Sequence, residues 1–151
     1  MPDTAATFAC VFVAFYAAHT VGDHWIQTER QAARKGLPGW AGRRACLAHV
    51  ATYTATLLAA LTAVWLALDL PLTPWRVGLG LAVSAITHYI ADRREPLRIL
   101  ARWTGHATFH SLGQPRPGHD DNPSLGTGAY AQDQSWHVAW LFIAALLTAT
   151  P

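Results

Sequence analysis

The sequence predicts an all-α fold, a polytopic membrane four-helix bundle with a short interfacial helix in its last cytoplasmic loop. Hydrophobic residues make up 52% of the chain and charged residues only 13%, about half the share usual in a soluble domain. Several apolar runs approach the roughly 20 residues that cross a bilayer. Ten of the 11 Lys and Arg residues fall between those runs, in 27–45 and 93–132.

The four spans are expected at about 5–26, 46–70, 75–92 and 135–150, within one integral membrane domain that covers 1–151. The first contains the uncharged run ATFACVFVAFYAA, and no basic segment that would indicate a cleavable signal precedes it, so we expect it to remain as a helix. The second contains TATLLAALTAVWLAL, and the prolines of LPLTP separate it from the third. The fourth is close to the lower length limit for a span.

The basic loops predict the orientation, because Lys and Arg mark the cytoplasmic side of a membrane. We therefore expect a multi-pass protein of the inner (cytoplasmic) membrane, with loops 27–45 and 93–132 inside and both termini outside. The first loop is expected to attract anionic lipid. Because its basic residues lie beside apolar spans rather than along a groove, membrane lipid is the predicted partner and nucleic acid is not.

The second loop divides into two parts. The first is predicted to form the interfacial helix, with an apolar side made of Leu97, Leu100, Trp103 and Ala107. The remainder, 113–132, is rich in Gly and Pro and is predicted to be irregular. His106 and His110 add a pair of potential ligands, as does the His-Asp-Asp segment 119–121, but we expect these to be solvated loop residues rather than a second metal site.

Histidine and aspartate recur four residues apart at the loop-bearing ends of the spans. At this spacing two side chains share one helix face, and an alternating four-span path brings all the pairs to the same side of the bilayer. The sequence therefore predicts a ring that holds one or two divalent cations. Its candidate ligands are His19, Asp23, His49, His88, Asp92, Asp133 and His137.

The donor types of this ring indicate the metal. Imidazole and carboxylate together suit Zn best, with Mn or Fe also compatible. Cys10 lies inside the first run and Cys46 begins the second, so neither a disulfide between them nor a thiolate metal site is expected.

Single members of the ring also have structural explanations. Asp133 stands where a helix N-cap is expected, and Arg93 and Arg94 directly follow Asp92 and would neutralise it. Asp23 and Asp92 are harder to explain in this way, because they lie at helix C-terminal ends, where the macrodipole disfavours an anion. A shared cation would account for both.

Four segments resemble the signature segments of domain of unknown function (DUF) 3307, a family of membrane proteins from bacteria and phages: HTVGDHWIQT, LAHVATYT, THYIADRR and DQSWH. They occur in order and touch all four spans. The family has no established activity. The resemblance implies a polar signature made of His19, Asp23, Gln27, His49, Tyr53, His88, Asp92, Asp133, Gln134 and His137. Segment 105–131 exceeds what a minimal core of the family requires, so the resemblance leaves its role open.

Three functions are compatible with such a ring. The first is a metal-dependent hydrolase acting on a lipid or another amphiphile at the cytoplasmic face. His49 would then be a ligand or proton shuttle, Tyr53 would donate to a developing oxyanion, and Gln27 and Gln134 would hydrogen-bond to the ligands. The second is a non-catalytic protein whose His/Asp or metal cluster joins the helices, within a homo-oligomer or a partner-binding platform. The third is an ion or proton carrier, ranked last because the outer halves of the spans offer only hydroxyl groups.

Overall fold

The computed structural model describes residues 3–118 and 126–150, which form helices and connecting loops without any strand. The all-α fold class is therefore confirmed for this part of the chain. In order, the helices are α1 (Thr4–Val21), a π-helical turn that continues it (Gly22–Ile26), α2 (Glu29–Arg34), α3 (Gly39–Leu68), α4 (Pro74–Asp92), α5 (Glu95–Trp103), α6 (Ala107–His110) and α7 (Gly128–Ala149).

The four long helices pack around a common core. Helix α1 contacts α3 and α7, and α4 contacts the same two helices from the other side. The buried apolar side chains between them include Phe15, Leu57, Leu61 and Leu141. Within the described residues, α1 with its π-helical turn and α3 are long and apolar enough to cross a membrane.

Two helices begin before the spans predicted within them. Helix α3 begins at Gly39 rather than near residue 46, and α7 begins at Gly128 rather than near 135. The prediction followed apolar runs, whereas the helical backbone continues through the polar residues beside them. Segment 128–132 is therefore helical and its predicted irregularity is wrong, while 113–118 is irregular as predicted and 119–125 lies outside the described residues.

The N-cap of α7 also differs from the prediction. Thr127 caps the helix, because its side-chain oxygen accepts a hydrogen bond from the backbone N–H of Tyr130 at 3.1 Å. Asp133 lies more than one turn inside the helix, so its expected role as a cap is wrong. Its carboxylate needs a different explanation.

A helix is present where the interfacial helix was predicted, but its apolar side is different. Leu97 and Ala101 are the buried residues of α5, whereas Trp103 is 84% exposed. The helix ends at Trp103, and Gly105, with φ 78°, turns the chain, so Ala107 belongs to the separate helix α6. The four-residue apolar side predicted for one helix is therefore wrong.

Helices α4 and α7 approach closely at Gly80. A β-carbon built there would overlap Oγ1 of Thr148 and lie 2.8 Å from the carbonyl oxygen of Ala144. Only glycine leaves room for this approach. It brings the polar end of α4 beside the polar start of α7.

Candidate metal centre

Four side chains from three elements converge at the end of the long helices that carries the basic loops. We call them the His/Asp quartet: His49 on α3, His88 and Asp92 on α4, and Asp23 in the π-helical turn. His49 is fully buried, and His88 and Asp92 are 1% and 2% exposed. Such buried polar groups require partners, because their desolvation is otherwise uncompensated.

Two imidazole nitrogens of the quartet lie close together, and one carboxylate oxygen from each aspartate lies near both of them. Nε2 of His49 and Nε2 of His88 are 3.0 Å apart. Oδ2 of Asp92 lies 3.3 Å and 3.2 Å from these two nitrogens, and Oδ1 of Asp23 lies 3.3 Å and 3.5 Å from them. Donors of a tetrahedral zinc ion lie about 2.0–2.2 Å from it, which places neighbouring donors about 3.3–3.6 Å apart. The five distances are close to this spacing, and His49, His88 and Asp92 together form one group of potential metal ligands.

A hydrogen bond between the two imidazoles does not satisfy the two carboxylates as well. A hydrogen bond between the two rings uses the hydrogen of one Nε2 and the lone pair of the other. No hydrogen is then left for Oδ1 of Asp23 or Oδ2 of Asp92, which have no hydrogen-bond partner among the described residues. If both nitrogens were protonated, two N–H groups would face each other at 3.0 Å. A cation among the four atoms removes both conflicts.

The π-helical turn contributes to this geometry. Such turns insert one residue into a helix and change the direction of the side chains, often at functional sites. Here the turn begins three residues after His19 and contains Asp23. At its first residue, Gly22, a β-carbon would lie 3.2 Å from Cδ2 of Tyr53. The end of α1 therefore lies close against α3, which places Asp23 beside His49.

Lys35 neutralises Asp92, a role that the sequence analysis missed. Its Nζ lies 2.7 Å from Oδ1 of Asp92. The expectation that Arg93 and Arg94 do this is wrong. The Arg93 guanidinium instead donates to the carbonyl oxygen of Lys35 and, at 2.6 Å, to that of Leu37. Because Lys35 comes from the loop after α2, no helical spacing could have connected it with Asp92.

The remaining predicted ligands lie beside the quartet. The rings of His19 and His137 stack with centroids 5.0 Å apart, and Nδ1 of His19 is 3.6 Å from Oδ2 of Asp23. Nδ1 of His137 donates to the carbonyl oxygen of Asp133 at 2.8 Å, which leaves the lone pair on Nε2. That Nε2, like both nitrogens of His19, is buried without a hydrogen-bond partner among the described residues. All seven candidate ligands thus meet at one end of the molecule, and their ligand role stays a prediction.

A cavity of about 510 Å³ reaches this cluster from the loop side. Asp23, Asp92 and Asp133 line it, as do the two predicted hydrogen-bonding residues Gln27 and Gln134. Nε2 of Gln134 donates to Oδ2 of Asp133 at 3.3 Å. The carboxylates are therefore accessible from the cavity on one side and packed against histidines on the other.

Tyr53, the predicted oxyanion donor, packs beside the quartet, and its catalytic role stays a prediction. Its ring stacks on that of His88 with centroids 3.8 Å apart, and its hydroxyl is 2.9 Å from Oγ of Ser84. Tyr53 and His49 are not among the residues that line the cavity. The structure therefore gives Tyr53 a packing contact that orients His88.

The loop histidines lie apart from the cluster. Nδ1 of His106 is 3.1 Å from Oγ1 of Thr104, and Nδ1 of His110 is 2.7 Å from Oε1 of Gln132. Neither belongs to the groups of potential metal ligands that the described residues form. Segment 119–121, the other potential site in this loop, lies outside the described residues.

Comparison with known proteins adds a family. The family model described as "Protein of unknown function (DUF3307)" matches residues 11–151, and so includes every candidate ligand. No curated protein and no solved structure matches the chain.

Proposed function

Since the chain belongs to the DUF3307 family of proteins of unknown function, we propose a function from the geometry of its site. It is an integral membrane protein that binds one or two divalent cations, of which one, preferably Zn, lies in the His/Asp quartet. It uses the metal to hydrolyse a lipid or another amphiphile at the cytoplasmic face. The observation that carries this proposal is the 3.0 Å approach of two imidazole nitrogens with two carboxylate oxygens beside them.

The cavity favours an enzyme over a structural cluster. A structural zinc site is closed by its protein ligands, whereas a catalytic site keeps access for water or substrate. Asp23 and Asp92 both belong to the quartet and line the 510 Å³ cavity, so the cavity reaches two of the residues that would hold the ion. A bound zinc ion lowers the pKa of water and polarises a phosphoryl or carbonyl oxygen. The side-chain amides of Gln27 and Gln134 are available to orient the substrate.

The distribution of apolar surface supports four membrane spans. Each long helix exposes large apolar side chains: Val13 on α1 is 65% exposed, Leu66 on α3 79%, Ile86 on α4 61% and Phe142 on α7 43%. Meanwhile imidazoles and a carboxylate are buried. Exposed apolar side chains around buried polar ones suit a lipid environment rather than water. Helices α4 and α7 have 19 and 22 residues, close to the roughly 20 that a span requires.

Cysteine labelling tests this topology. In a chain with Cys10→Ala and Cys46→Ala, we introduce Thr73→Cys between α3 and α4 or Leu37→Cys in the first basic loop. A membrane-impermeant maleimide is expected to label Thr73→Cys on intact cells and Leu37→Cys only after permeabilisation, because basic loops stay inside. Labelling of both positions from outside would contradict the four-span path.

Metal analysis tests the site. The detergent-purified protein is expected to contain one or two equivalents of zinc, manganese or iron. The double variant His49→Gln, His88→Gln is expected to lose at least one equivalent, because it removes two of the four donors of the quartet. His106→Gln serves as the control, since that exposed histidine lies outside the cluster. A wild-type protein that stays metal-free after incubation with zinc would refute the proposal.

The catalytic half of the proposal has its own measurement. Metal-loaded protein in mixed micelles of a bacterial lipid extract is expected to release a headgroup or acyl product. Mass spectrometry detects that product. The double variant should release none. If the wild type binds zinc but leaves all lipids intact, the metal site stands and its role becomes that of a structural cluster.

A further inference from the structure

A second cavity, separate from the one at the metal centre, is lined by arginines. It has a volume of about 410 Å³ and lies between α2 and the beginning of α3. Arg30, Arg34 and Arg44 line it together with Thr28 and Gln31, and no carboxylate is among its lining residues. The cavity at the metal centre, by contrast, has both carboxylates and basic side chains in its wall. We call this second cavity the arginine groove.

The three arginines converge because of helix geometry. Arg30 and Arg34 are four residues apart on α2 and therefore share one face. Helix α3 packs against α2 and contributes Arg44. The three exposed arginines give this groove a positive charge that attracts an anion. Guanidinium groups match phosphate oxygens with two parallel N–H donors, which makes a phosphate the fitting counter-ion.

The polar residues of the groove fix its shape. The Thr28 side chain accepts from the backbone of Gln31 at 3.2 Å, and the Gln31 side chain accepts from the backbone of Thr28 at 2.8 Å. This capping box holds the first turn of α2 and therefore the face that carries Arg30 and Arg34. The arginines, the Gln31 side-chain N–H₂ and the Thr28 hydroxyl hydrogen remain as donors for a ligand in the groove.

The other wall of the groove is apolar and continues along a candidate span. Ala41, Ala45 and Ala48 line it, at the spacing of one face of α3. Helix α3 is one of the two helices that are long and apolar enough to cross a membrane. The groove therefore combines a cationic end with a shallow apolar channel along a helix. Basic pockets of this kind at the cytoplasmic ends of membrane helices bind anionic lipid headgroups.

We propose that the arginine groove binds an anionic phospholipid, with its phosphate at Arg30, Arg34 and Arg44 and an acyl chain along Ala41, Ala45 and Ala48. The bound lipid neutralises the arginines and holds α2 against α3. This site is separate from the proposed catalytic centre and needs no metal. It depends on the membrane location that the proposed function also assumes.

The test measures lipid binding to the full-length, detergent-purified protein by native mass spectrometry. The probes are phosphatidylglycerol, zwitterionic phosphatidylcholine and inorganic phosphate. The variant Arg34→Gln, Arg44→Gln is compared with Arg43→Gln, Arg102→Gln, which removes the same charge from two exposed arginines outside both cavities. Each groove variant is also made singly, so that a folding defect in the double variant does not decide the result.

The wild type is expected to bind phosphatidylglycerol in preference to phosphatidylcholine. The groove double variant should lose about tenfold or more in affinity for phosphatidylglycerol, since each lost charged hydrogen bond has a large effect, while the control double variant should match the wild type. Equal losses in both double variants would reduce the effect to general surface charge and overturn the site. Inorganic phosphate bound as tightly as the lipid would overturn the lipid as occupant. A protein that stays metal-free after incubation with zinc and still shows the expected lipid pattern refutes the metal proposal and leaves the groove intact.

Discussion

Replacing Lys35 by methionine is expected to destabilise the metal-free protein by about 3–5 kcal/mol, because it leaves a buried charge without its partner. The partner is Asp92, which is 2% exposed and receives the Lys35 ammonium at 2.7 Å. Methionine keeps much of the apolar stem of lysine, so the change removes mainly the charge. The measurement is thermal unfolding in detergent after chelation.

Zinc is expected to restore much of that loss. If Asp92 is a metal ligand, a bound cation supplies the positive charge that the variant lacks, and binding to the folded state alone stabilises it further. The zinc-induced rise in unfolding temperature should therefore be larger for Lys35→Met than for the wild type. Arg43→Met, a change at an exposed position, is the control. A variant that zinc fails to rescue would show that Asp92 does not bind the metal.

Gly80→Ala is expected to destabilise the protein by about 1–3 kcal/mol, as over-packing of a close contact does. The new methyl group would overlap Oγ1 of Thr148, which donates to the carbonyl oxygen of Ala144 at 2.8 Å. Since that carbonyl belongs to the backbone of α7, the contact is relieved only if α4 and α7 move apart. The thermal unfolding temperature of the metal-free protein measures the effect without any contribution from the site.

Gly78 provides the matched control in the same helix. A β-carbon there meets nothing within 4 Å, so Gly78→Ala is expected to stabilise α4 by about 0.5–1 kcal/mol through its helix propensity. Adding Thr148→Ala to Gly80→Ala should recover part of the loss by removing the hydroxyl. Equal effects at positions 78 and 80 would mean that α4 and α7 do not approach as described.

The spacing of His and Asp was informative because helix geometry converts it directly into a shared face. His88 and Asp92 follow that rule, with Nε2 and Oδ2 3.2 Å apart. The rule says nothing about neighbours from other helices. That His49 meets His88 and Asp23, while His19 stacks on His137, depends on helix packing and on the π-helical turn, and neither is encoded in a local pattern.

Helix boundaries were harder to predict for a related reason. Apolar runs report where a helix contacts lipid or core, whereas the backbone hydrogen bonds that define a helix also continue through polar residues. Asp133 was consequently taken for a cap, although α7 begins at Gly128. Lys35 reaches Asp92 from a loop. Residue spacing in a loop has no regular period, so no sequence pattern predicted this contact.

The anchoring of Lys35 by Arg93 has a consequence for how the two basic loops are positioned. Arg93 and Lys35 are 58 positions apart in the chain, yet the guanidinium donates to the Lys35 carbonyl oxygen while the ammonium of Lys35 contacts the carboxylate just before Arg93. A hydrogen bond and an ion pair therefore connect the two loops beside the candidate metal centre. The backbone position of Lys35, and with it the ammonium that balances the buried carboxylate, is thus fixed from the loop that follows α4.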